Sequence, residues 1–172
     1  FSVADTHNAA NAIELTTITD FVAGTDKIGA LGITDIEQGV TADLISAGDA
    51  TSIAASEAIS ITTLTAATNM TATSGNVLLA SSSTAFTADT LSDALEAGGS
   101  LAVTFNNEVA NDDGFIVIYD NNVDTFIAEV SNQSGGAIAD NTEATAGELT
   151  VNNLVTLTGV SDATAITAAM LT

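Results

Sequence analysis

The chain has 172 residues, 22 Asp plus Glu against one Lys plus Arg, a formal net charge of −21, no Cys and 46% hydrophobic residues. Without Cys there is no disulfide framework, thiolate zinc site or thiol nucleophile, and one basic residue can neither neutralise a run of phosphates nor hold an anionic membrane. The apolar content separates the chain from acidic disordered ones, so a packed fold is expected, without nucleic-acid binding and without membrane insertion.

The first twelve residues read as a polar lead-in. They begin at Phe1 rather than Met, consistent with a processed product or a piece of something longer, and lack the cationic region of a signal peptide. From Ile13 the pattern turns β-like through Ile18, and Gly24-Thr25-Asp26 signals a turn before a second apolar run, Ile28 to Ile33. Val40 to Ile45 is a short amphipathic stretch of open type. Ser52 to Ser74 is rich in Thr, Ala, Ser and Ile, and its β-branched residues favour strands. Asn76 to Ala80 is another short strand, ended by Ser81 to Ser83.

A helix is predicted from about Ala88 to Ala97. Thr87 serves as N-cap, Leu91, Ala94 and Leu95 form the apolar stripe, and Gly98-Gly99 is the stop. Leu101 to Phe105 reads as a strand. Phe115 to Tyr119 and Thr125 to Val130 flank the turn-rich 120–124 and predict a hairpin, and four of the seven aromatics lie between Phe105 and Phe126, which centres the core there. Ser131 to Gly147 is a polar loop, Leu149 to Leu157 a final strand, and Ala163 to Leu171 a short candidate helix.

The run Ile18-Thr19-Asp20-Phe21-Val22-Ala23-Gly24-Thr25-Asp26-Lys27-Ile28 resembles the "I-x-D-F-x-x-G-x-D-K-I" sequence flanking calcium-binding repeats-in-toxin (RTX) arrays. Its physical reading is a strand, a Gly turn and a second strand paired with the first; Gly29 and Ala30 stand where the family has Asp-Leu. The helix "A-D-T-L-S-D-A-L", the stretch "I-Y-D-N-N-V-D-T-F-I-A-E-V" and "L-V-T-L-T-G-V-S-D-A-T-A-I-T" are similar to the C-terminal module of such proteins. The glycine-rich nonapeptide G-G-x-G-x-D is absent. The resemblance implies export by bacterial type I secretion, an extracellular or cell-surface location, Ca2+ as cofactor, and relatives among hemolysins, proteases, adhesins and S-layer proteins.

The candidate Ca2+ ligands are Asp20 with Asp26, Asp112 with Asp113, and Asp120 with Asn122 and Asp124. The alternate spacing of the last three lets side-chain oxygens converge in a turn. Asp and Asn also favour hairpin turns for their own sake, so both readings stand. Thr125 and Ser131 occupy positions 6 and 12 of an EF-hand count, which excludes a true EF-hand.

Paired carboxylates could suggest a glycosidase, but there is no Trp, one Tyr and no cationic cleft former, so the acids read as a solvated surface. Thr150, Thr156 and Thr158 read as outward strand positions, the irregular Thr62 to Thr73 run as exposed strand rather than an ice-binding array, and His7 and Lys27 as surface residues.

The expected fold is mainly β: antiparallel sandwich or roll-like sheets with one or two short helices. Residues 1–50 form an RTX-flank-like β segment, and 51–172 hold Thr/Ala-rich strands and a C-terminal β module, in one compact unit. The expected role is a non-enzymatic secreted protein that self-assembles as a homo-oligomer or polymer, assisted by Ca2+, with a cell-surface glycan as the partner of an adhesive form. The alternative is the secretion and folding module of a larger exported enzyme or toxin.

Overall fold

The computed structural model describes residues 2–3, 16–31, 59–70, 77–106, 108–111 and 114–171. Among them are ten strands: β1 Ser2–Val3, β2 Thr16–Ile18, β3 Gly29–Leu31, β4 Ile61–Leu64, β5 Thr68–Asn69, β6 Val77–Ala80, β7 Val103–Thr104, β8 Gly114–Asp120, β9 Thr125–Asn132 and β10 Leu149–Leu157. One α-helix, α1 Ala88–Leu95, lies between β6 and β7. Six strands form one sheet in the order β2-β10-β9-β8-β6-β4. The fold is mainly β, as expected.

The sheet is mixed. β8 and β9 form the expected antiparallel hairpin and β10 adds antiparallel to β9, but the sheet is not antiparallel throughout as expected: β6 joins β8, β4 joins β6 and β2 joins β10 in parallel. β9 alone therefore runs against the other five. The reason lies in the connections: β6 reaches β8 through α1, and a crossover of that kind returns the chain parallel. The short strands β5 and β7 pair in parallel as well.

Both faces of the sheet are covered, which suits a sheet with parallel pairs. On one face Leu78, Phe115, Val117, Tyr119, Ala128 and Val130 pack with Leu91, Ala94 and Leu95 of α1 and with Val103 and Phe105. The rings of Phe105 and Phe115 lie 5.8 Å apart, and those of Tyr119 and Phe126 stack at 4.9 Å. On the other face Val77, Leu79, Ile116, Ile118 and Ile127 pack with Phe21, Ile28, Ile166, Met170 and Leu171. Each fully buried Leu, Ile or Phe contributes about 1.5–3 kcal/mol, so the two layers together are the main source of stability.

The helix starts as expected. Thr87 Oγ1 accepts from Thr90 N at 3.2 Å and Thr90 Oγ1 accepts from Thr87 N at 2.8 Å. It stops two residues early, because Glu96 turns extended at φ −82°, ψ 170°. The predicted strand 101–105 shrinks to β7. The candidate helix 163–171 is two separate 3₁₀ turns, Ala163–Ala165 and Ala168–Met170, since the β-branched Ile166 takes an extended backbone and buries its side chain.

Three further expectations are corrected. The Gly24 turn is present at φ +84°, but β2 pairs with β10 and β3 with β1, not with each other. Thr156 is buried rather than outward: the register shifts between Asn153 and Val155, and the extra residue sets Thr156 opposite Phe126. Glu96 and Glu129 are buried, 3% and 1% exposed, so not every acid is solvated. The described part of the 1–50 segment shares the main sheet through β2 and the second core layer through Phe21 and Ile28. Val40 to Ile45, His7, Asp112 and Asp113 lie outside the described residues.

Candidate functional site at the acidic end of the sheet

Five of the six strands end at the same end of the sheet, and the β8–β9 hairpin turns there. Asp20 follows β2, Asp26 lies in the turn after it, and Asp120, Asn122 and Asp124 form the hairpin turn. The structure thus gathers five of the seven candidate ligands at one end. Asp20 and Asn122 are exposed, while Asp26, Asp120 and Asp124 are half-buried.

The hairpin shows what its spacing is for. Asn121 Oδ1 accepts from Val123 N at 2.9 Å and Asp124 N at 2.7 Å, and Asp120 Oδ1 accepts from Asn122 N at 3.0 Å. Asn122 sits at φ +66°, a conformation that Asn tolerates better than most residues. The remaining oxygens reach outward to the segment after β10. Asp124 Oδ1 accepts from Gly159 N at 2.7 Å, Asp120 Oδ2 accepts from Ala163 N at 2.9 Å, and Thr125 Oγ1 donates to Val160 O at 2.6 Å. The D-x-N-x-D-T run is therefore a clamp on the "T-G-V-S-D-A" run.

The first motif joins the same arrangement. Asp26 Oδ2 accepts from Val22 N at 2.8 Å, and Val22 O accepts from Thr25 N and Asp26 N, both at 3.0 Å, closing the turn around Gly24. Phe21 and Ile28 then enter the core, and Ile28 N donates to Met170 O at 2.7 Å. Three of the four runs that carry the family resemblance, all but the helix, meet through the segment 159–171. Within it Asp162 Oδ1 accepts from Thr164 Oγ1 at 2.6 Å and Thr164 N at 2.9 Å; these bonds hold its carboxyl below the usual value of 3.8.

Hard oxygens of this kind suit Ca2+. Among the described residues, however, no group of three or more His, Cys, Asp or Glu is arranged to hold a metal. A cation at the hairpin would have to share carboxylates already engaged in clamping.

Two polar residues of structural weight escaped the sequence reading. Glu96 Oε1 accepts from Leu149 N at 2.9 Å, and both its oxygens accept from Gly147 N at 2.9 Å, tying the end of α1 to the start of β10. Asn132, fully buried, donates to Val109 O, Ala110 O and Gly136 O at 2.9, 3.2 and 2.8 Å and accepts from Ser134 N and Oγ. The only available signals were weak: a Glu just before Gly98-Gly99, and an Asn closing a strand. Burial also pushes the Tyr119 phenol above 10.0, against the opposing effect of its 2.7 Å bond to Asn153 Oδ1.

Comparison with protein-family models, with curated proteins and with solved structures finds no match to this chain. No helix among the described residues is long and apolar enough to cross a membrane.

Proposed function

We propose that this chain is a non-enzymatic, secreted bacterial surface protein whose copies self-assemble, as an S-layer, extracellular filament or adhesive matrix, with Ca2+ as the screening cation. The observation that carries the reading is the character of the surface. Of the described carboxylates only Glu96 and Glu129 are buried, and Lys27 is the one described Lys or Arg. Such a surface repels its own copies until cations screen it.

The use made of the polar side chains supports a structural role over a catalytic one. Asp120, Asp124, Asn132 and Glu96 each close a turn or fasten a loop. The four runs that carry the family resemblance favour export by type I secretion to a compartment where Ca2+ reaches the concentrations weak carboxylate sites need. An adhesive form would take a cell-surface glycan as partner.

Electron microscopy of the secreted material before and after EDTA tests the proposal. Ordered sheets or filaments that dissolve on chelation are expected. Isolated particles in both samples would contradict assembly, and order that persists in EDTA with no bound Ca2+ would contradict the calcium part.

A further inference from the structure

We draw no further inference here: the strongest candidate, the outer edge of the six-stranded sheet at β2, where the side chain of Thr17 is exposed, is three residues long, and nothing in the structure shows what pairs with it.

Discussion

Glu96 places a carboxyl group where water scarcely reaches it, and two backbone N–H groups from a loop 51 and 53 residues further on meet it there. Hydrogen bonds to a carboxylate contribute about 1.5–3 kcal/mol, and a buried N–H left without an acceptor costs about 1–3 kcal/mol. Glu96→Gln should therefore lose about 2 kcal/mol in urea unfolding, and Glu96→Ala at least about 1 kcal/mol more. Equal losses would mean that the side chain acts by its volume alone. Tyr119 gives a second reading at this scale, because it is the sole Tyr in a chain without Trp. Its folded pKa is raised by burial above 10.0, so the stability it contributes is fully present below 10.0 and lost as pH rises through the folded value. Phenolate absorbance should accordingly appear at higher pH in the native protein than in the urea-unfolded chain. Coincident titrations would place the ring in water.

At the scale of elements, what was legible was what is local. The cap at Thr87, the apolar stripe of α1, the β8–β9 hairpin and the limits of β10 each depend on residues a few positions apart, and the sequence pattern carried them. Strand partners were not legible. Which strand receives β2 is decided by packing across more than a hundred positions, where β10 inserts an extra residue is decided by its fit to β9 rather than by its own pattern, and a shift of one residue moved Thr156 from solvent to core. The candidate site was legible as a gathering of Asp and Asn in turns, but the object of the gathering, a clamp on the segment after β10, was not. The corner after α1 makes a sharp prediction. A Cβ on Gly99 would stand 2.3 Å from Ala94 O and 2.4 Å from Asp93 O, whereas one on Gly136 would meet nothing within 4 Å. Gly99→Ala should cost about 1–3 kcal/mol or more, and Gly136→Ala should stay within about 0.5 kcal/mol, by thermal or urea unfolding. Comparable losses at both would contradict the packing described at that corner.

For the whole molecule, the charge of −21 and the two-sided apolar sheet are parts of one account. Burial on both faces gives the body its stability, so the surface is free to be acidic, and on the proposed self-assembly reading self-repulsion keeps copies apart wherever divalent cations are scarce. Debye screening is set by ionic strength, whereas carboxylate oxygens bind Ca2+ directly, so the two effects separate at matched ionic strength. Sedimentation velocity of the full chain in millimolar Ca2+, in NaCl of equal ionic strength, and in EDTA is the most direct test. The account predicts large species in Ca2+, far fewer in NaCl and monomer in EDTA. A monomer that persists at high protein concentration in Ca2+ would contradict it.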